Sequence, residues 1–286
     1  CKLYKTIEMT NRVACVLAHI FQRGFTVNRD ELLRVKDEFE AEKLQLQTTL
    51  DQRVSQLMGD TPINLNSPEQ LSWVIYSRKV YNKQTWVNDT SFVTGTEFQQ
   101  KIKENSTIMY KTAATKCSGC YGNGKIKKTR KDGKPFTKAT KCAMCAGAGY
   151  TLKPTKEVAG LKFNVPNNSW VTAGGFTTNK GYLETLEATA RGRKKMIAVS
   201  FLHDVRRLSA LDTYLSSFVD GIDLYTKPDG RLHVQLTQHM TATGRFSGRN
   251  PNMQNMPRGG TFPIKRVFVS RFEGGKILEA DFAQLE

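Results

Sequence analysis

Apolar residues open the chain at spacings of three and four: Ile7, Val13, Val16, Leu17, Ile20 and Phe21 share one helical face. Gly24 stands where a left-handed residue ends a helix. Asn28, with Glu31 three residues on, is a capping-box start. Leu32, Val35, Phe39, Leu46, Leu50 and Leu57 give the next helix a long stripe that Gly59 closes. At about 1.5 Å per residue this helix exceeds ~40 Å, the length of a lever or hairpin arm. Ser67-Pro68-Glu69-Gln70 signals a third start, with a cap, Pro at the first helical position and Gln at the third. Cys15, beside Val16 and Leu17, reads as a small core residue.

Over residues 81–175 the periodicity fades and Gly, Thr, Asn and Lys dominate, which predicts an insertion with little core of its own. Helical spacing resumes over 182–207 and 208–218. After Gly230, Leu232, Val234 and Leu236 alternate as in a strand. Residues 266–270 read as a second strand, and 277–280 as a third that ends on Asp281. The pattern predicts an α+β chain: a mainly helical first part, an irregular insertion, then strands.

A chain of 286 residues accommodates one large domain or two ordinary ones. No apolar run approaches the roughly 18 residues of a membrane span, and no signal peptide opens the chain. A cytoplasmic protein without membrane contact is therefore expected. Six cysteines are sparse for a secreted disulfide scaffold, and four of them form two C-x-x-C pairs. The chain starts at Cys1 and stops at Glu286 within a polar-apolar run, so it reads as a piece of a longer protein.

The net charge is +17, and its distribution sharpens the picture. Residues 76–162 hold 18 basic and 5 acidic side chains, a net of +13, while residues 1–75 sum to −1 and 163–286 to +5. Such a block favours a polyanion, because each cation that neutralises a phosphate releases condensed counterions. A solvated basic loop without a partner is the alternative reading.

Within that block, Cys117-Ser-Gly-Cys120-Tyr-Gly122-Asn-Gly124 is echoed by Cys142-Ala-Met-Cys145-Ala-Gly147-Ala-Gly149. Four thiolates suit a tetrahedral Zn2+ site, and the glycines let backbone amides turn toward the sulfurs. A redox pair or chance is the alternative. The repeats resemble the zinc-finger region of DnaJ-type chaperones. That family carries four repeats and a His-Pro-Asp domain, whereas this chain has two repeats and no His-Pro-Asp, so one zinc ion is expected and a chaperone role is not. Of the 21 residues between the pairs, eight are basic: Lys125, Lys127, Lys128, Arg130, Lys131, Lys134, Lys138 and Lys141. A zinc-stapled basic loop fits phosphate contact, and contact with a processivity or replisome protein is the competing use.

The C-terminal third is more specific. Thr241-Ala-Thr243-Gly244-Arg245-Phe-Ser247 through Asn252-Met-Gln254-Asn255-Met-Pro257 resembles the T-x-T-G-R-x-S…P-N-L-Q-N-I-P run of family A, DNA polymerase I-like, DNA polymerases. Ile264-Lys265-Arg266-Val267-Phe268 is similar to that family's I-R-x-A-F strand, and Asp281-Phe282-Ala283-Gln284-Leu285-Glu286 to its D-Y-S-Q-I-E motif. Upstream, Asn64-Leu65-Asn66-Ser67-Pro68-Glu69-Gln70-Leu71 resembles the thumb's N-x-x-S-P-x-Q-L, and Gly175-Phe176-Thr177-Thr178 the thumb-tip G-x-S-T. Phe282 replaces the usual Tyr and Gly248 a usual Ser. The middle insertion is absent from common members, but some phage polymerases carry DnaJ-like repeats, which suggests a bacteriophage-type enzyme acting in the host cytoplasm.

The resemblance implies a thumb over residues 1–205, with the insertion at about 84–172, and the opening of a palm over 206–286. It implies template-directed nucleotidyl transfer from a dNTP to a primer 3′-OH on primer–template DNA, with two Mg2+ or Mn2+ ions. Asp281 would ligate metal through its carboxylate and Phe282 through its backbone carbonyl. Glu286 would crowd a ribose 2′-OH, and Thr243, Arg245, Asn252 and Gln254 would touch DNA. The fingers helix and the second palm carboxylate have no counterpart in these residues, so a polypeptide of this span is expected to be inactive alone. A non-catalytic zinc-dependent nucleic-acid or protein-binding module is the alternative, and Glu286 with the T-x-T-G-R run disfavours a single-subunit RNA polymerase.

Overall fold

The computed structural model describes residues 2–81, 83–127, 138–241, 243–257 and 261–280. In chain order the elements are α1 (Lys2–Arg23), β1 (Phe25–Val27), α2 (Arg29–Met58), α3 (Pro68–Tyr76), β2 (Arg78–Val80), α4 (Lys83–Ser91), α5 (Gly95–Asn105) and β3 (Ser106–Ile108). There follow β4 (Tyr110–Lys116), β5 (Lys125–Ile126), β6 (Thr140–Lys141), β7 (Tyr150–Val158), β8 (Val171–Thr172), β9 (Gly175–Phe176), α6 (Lys180–Gly192) and α7 (Met196–Tyr214). A π-helical turn (Leu215–Val219), α8 (Asp220–Tyr225), β10 (Arg231–Leu232), β11 (Gln235–Thr237), β12 (Ser247–Arg249) and β13 (Phe268–Val269) complete an α+β chain. No described helix is long and apolar enough to cross a membrane.

Two compact units divide the chain: one joins Cys1–Leu46 to Arg207–Glu286, the other is Gln47–Arg206. This compactness groups the first 46 residues with the C-terminal segment rather than with the residues that follow them.

In the first unit the expected caps hold. Gly24, at φ 62, donates its amide to the Ile20 carbonyl at 3.0 Å and ends α1. Asn28 Oδ1 accepts the Glu31 amide at 3.1 Å and starts α2, a contact worth about 1 kcal/mol. Leu32, Val35 and Phe39 then bury against Leu211, Tyr214, Leu215, Val219 and Ile222, with Leu232 and Val234 from the sheet side. Phe262 closes this core, its ring stacked on Tyr214 at 4.3 Å. Arg207 lies 4.8 Å over the Phe262 ring and donates to both Glu42 oxygens at 2.6 and 2.8 Å. The sheet is small and antiparallel, in the order β10-β1-β13.

Two expectations fail here and a third holds only in part. Cys15 is exposed, because Ile7, Val16, Ile20 and Phe21 of the α1 apolar stripe are themselves exposed. Residues 277–280 form no strand, since no described strand pairs with them, and Leu278 is 91% exposed. The segment at 266–270 is a 3-10 turn (Ile264–Val267) leading into the two-residue β13.

In the second unit the last half of α2 buries Leu50, Val54 and Met58. Ser67 Oγ accepts the Gln70 amide at 3.5 Å and Pro68 occupies the first turn of α3, as expected. The Gly175-Phe176-Thr177 segment packs on α3: the Phe176 amide donates to Ser72 Oγ at 3.3 Å and the Tyr76 hydroxyl to the Thr177 carbonyl at 3.2 Å. The predicted coreless insertion is corrected at its N-terminal end. Residues 83–105 form α4 and α5, whose Trp86, Phe98 and Ile102 are buried, with Trp86 edge-on to Phe176 at 5.3 Å.

The irregular part is thus a two-stranded ribbon, β4 with β7, antiparallel with Ala114 opposite Leu152 and Lys116 opposite Tyr150. Its root docks on the end of α2. Gly59, at φ 69, approaches so closely that a Cβ there would lie 2.2 Å from the Thr112 carbonyl oxygen. The Asp60 amide donates to that carbonyl at 2.9 Å, and Asp60 Oδ2 accepts the Ala114 amide at 2.6 Å.

Candidate metal centre and nucleic-acid face

The ribbon ends in the two cysteine repeats, which share one backbone form. Tyr121 and Ala146 have φ 52 and 50, Gly122 and Gly147 have 90 and 95, and Gly124 and Gly149 have 68 and 83. The Gly124 amide donates to Cys120 Sγ at 3.2 Å, and the Gly149 amide to Cys145 Sγ at 3.3 Å. Each repeat is tied to the other. The Cys117 amide donates to the Gly149 carbonyl at 3.0 Å and the Cys142 amide to the Gly124 carbonyl at 2.9 Å. A Cβ on Gly124 would sit 2.3 Å from the Gly147 oxygen, and one on Gly149 2.5 Å from the Gly122 oxygen. Only glycine lets the repeats close this far.

The four sulfurs are buried and lie within 4.8 Å of one another. Cys117 and Cys142 are 3.8 Å apart, Cys120 and Cys145 3.6 Å. A tetrahedral ion with bonds of about 2.3 Å has ligand–ligand edges of ~3.8 Å, so the residues present fit a four-thiolate metal site. Burial pushes the Cys117 thiol up to about 11. Burial works the same way on Cys145, but the amides of Gly149 and Gly147 and the neighbouring sulfurs bring it down to about 7. Sulfurs packed this closely and met by backbone amides are stabilised as thiolates by a bound cation.

Around the cysteines, Lys125 pairs directly opposite Lys141, and Lys125, Lys127, Lys138 and Lys141 are exposed. None of the four has an acidic partner within 4.0 Å among the described residues. Lys128, Arg130, Lys131 and Lys134 lie outside the described residues.

The C-terminal motif lies in the other unit, where β11 pairs antiparallel with β12, Leu236 opposite Gly248. The connecting turn is closed by the Thr241 hydroxyl, which donates to the Arg245 carbonyl at 2.5 Å, and Thr243 and Arg245 are exposed. Past β12, Asn252 Oδ1 accepts the Gln254 amide at 3.1 Å and caps a 3-10 turn (Met253–Asn255). A Cβ on Gly248 would meet Asn252 Oδ1 at 3.0 Å and Gln254 Oε1 at 3.4 Å. The two side-chain amides thus converge over the bare backbone of Gly248. Sequence reasoning missed Gln235, which accepts from Asn250 at 3.2 Å across the ladder; only strand register could have revealed it. Asp281, Phe282 and Glu286 lie outside the described residues.

Comparison with known proteins yields one family: the sequence model of "DNA polymerase family A" matches residues 140–286, just over half the chain. DNA polymerase I of Streptococcus pneumoniae serotype 4 is 31% identical over 118 residues, 40% of this chain and 12% of that protein. Thermostable DNA polymerase I of Thermus filiformis is 36% identical over 116 residues, 40% of this chain and 13% of its own. The DNA polymerase of Bacillus phage SP01 is 39% identical over 80 residues, 25% of this chain and 9% of its own. These matches span about an eighth or less of each relative. Among solved structures, the POL domain of Pol1 from M. smegmatis, in complex with DNA primer-template and dNTP, aligns with a TM-score of 0.45 at 19% identity, covering 88% of this chain and 27% of that one.

Proposed function

Because this chain belongs to DNA polymerase family A, we propose that it forms the thumb and the opening of the palm of a DNA-directed DNA polymerase, with a zinc-bearing insertion in the thumb. The observation that carries the reading is the Thr241–Pro257 motif on β12 and the turns flanking it, with Asn252 and Gln254 drawn together over Gly248. Exposed amides at one spot suit minor-groove contact, where every base pair offers acceptors, so pairing geometry is checked without reading sequence. Arg245 and Thr243, exposed on the preceding turn, join that face. Thumb and palm correspond to residues 1–205 and 206–286, and the insertion to about 84–172.

Divalent ions, Mg2+ or Mn2+, would activate the primer hydroxyl and stabilise the leaving phosphate. Asp281 and the Phe282 carbonyl would hold them, and Glu286 would exclude ribonucleotides by crowding a 2′-OH. A polypeptide of these 286 residues binds primer–template without extending it. Zn2+ is the ion proposed for Cys117, Cys120, Cys142 and Cys145, in a structural role. Lys125, Lys127, Lys128, Arg130 and Lys131 would contact phosphates. The phage relative supports a bacteriophage-type enzyme working in the host cytoplasm.

The reading is tested in the complete polymerase by Glu286→Ala. Ribonucleotide incorporation should rise by at least tenfold while dNTP incorporation persists. Unchanged discrimination would show that Glu286 does not stand at the sugar.

A further inference from the structure

The two repeats supply an internal control for what the metal knuckle requires of each position. Their backbone angles match at the three left-handed positions, so a side chain present in one repeat and absent from the other is not required by the frame. Cysteines and glycines are shared, as is the lysine before each repeat: Lys116 and Lys141 lay their stems beside Gly122 and Gly147. Where one repeat has Tyr121 the other has Ala146, at the same left-handed φ. A bulky side chain is rare in that conformation, and the frame is built equally well with alanine. The Tyr121 ring is nevertheless 81% exposed. Where the second repeat is followed by Tyr150, the first is followed by Lys125.

The differences sort by side. Lys116 pairs across the ladder with Tyr150, and its stem lies beside Gly122, the neighbour of the exposed Tyr121. On the other side of the pseudo-dyad Lys125 faces Lys141 directly. Like charges opposite each other on a two-stranded ladder destabilise it, so the fold gives no reason for that pair. One side is a stacking step and the other is a purely cationic one.

We propose that this knuckle binds single-stranded DNA, bases stacking on Tyr121 and Tyr150 beside Lys116, and phosphates running along Lys125, Lys141 and Lys127. Exposed rings need a free base face, which paired DNA offers only at its ends, whereas phosphate contacts alone would not distinguish the two forms. DNA rather than another single-stranded polyanion rests on the polymerase reading.

The test is fluorescence anisotropy of this chain with labelled oligothymidylate and with a blunt duplex of equal length. Tyr121→Ala should weaken single-strand binding about tenfold and change duplex binding by less than about twofold. Its metal content should equal the parent's, since Ala146 already occupies the equivalent position. Tyr121→Phe should restore single-strand affinity. Lys125→Gln with Lys141→Gln should flatten the single-strand salt slope by about 1.4. Equal loss on both DNA forms, or no loss on either, overturns the proposal, and the latter points to a protein on Tyr121. Tyr121-dependent single-strand binding with no primer extension by the complete protein would sustain this inference while the polymerase reading fails. Binding of neither DNA form by the parent chain would overturn both.

Discussion

Replacing Gly124 by alanine tests the closure of the two repeats at its tightest point. Two costs follow from the geometry. The residue sits at φ 68, where a Cβ is disfavoured by about 1–2 kcal/mol. The added carbon would also stand 2.3 Å from the Gly147 carbonyl oxygen, which is backbone and cannot swing away. Relief requires the second repeat to retreat, and overpacking of this kind costs about 1–3 kcal/mol. The retreat would widen sulfur pairs that now stand 3.8 and 3.6 Å apart, so the combined ~2–5 kcal/mol should appear in metal affinity, a loss of roughly thirtyfold to several thousandfold. Gly95→Ala is the control. That glycine also has positive φ, 60, but nothing lies within 4 Å of its Cβ position. It should lose about 1 kcal/mol of stability and keep its metal affinity. Competition with a chromophoric chelator at pH 7 reads both variants. A Gly124→Ala chain that binds within twofold of the parent would refute the close-approach argument.

Two further outcomes are expected. Since four thiols must lose their protons to bind the ion, occupancy should fall steeply on acidification from about pH 7 to 5, and Cys→Ser at any of the four should lower it at neutral pH. Metal analysis after dialysis at each pH checks this, and pH-independent occupancy would contradict the four-thiolate site. Tyr214→Phe should leave stability unchanged or raise it by up to ~1 kcal/mol. Its hydroxyl is buried without a hydrogen-bond partner among the described residues, and burial raises its pKa to about 12, so it stays neutral. A drop above about 1 kcal/mol in denaturant unfolding would reveal a partner for that hydroxyl.

What the sequence disclosed follows from what is local. The Asn28 and Ser67 caps and the Gly24 and Gly59 stops each act within four residues and each forms, though Glu31 turns to Arg34 and Gln70 to the Asn64 amide instead of closing a reciprocal capping box. The four cysteines were legible because two C-x-x-C pairs state a ligand set without any fold. Burial was not legible. The stripe on α1 shows amphipathicity but not what covers it, so Cys15 was misplaced. Residues 83–105 were missed because Trp86 rests on Phe176, ninety residues away, and each short helix carries few apolar anchors. Residues 277–280 have strand composition, but a strand exists only by pairing. The stacking step went unseen for the same reason: Lys116 and Tyr150 meet only through the β4–β7 register. The convergence of Asn252 and Gln254 over Gly248 likewise appears only in the fold.

The proposed role of this chain in DNA synthesis turns on Asp281. Single-turnover primer extension by the complete polymerase carrying Asp281→Ala, with primer–template affinity measured alongside, tests it most directly. Extension should fall by about a thousandfold or more while affinity stays within about threefold, because one carboxylate of the proposed two-metal site is lost and the proposed DNA-contacting face beside β12 is untouched. Extension by Asp281→Ala at the parental rate would contradict the account.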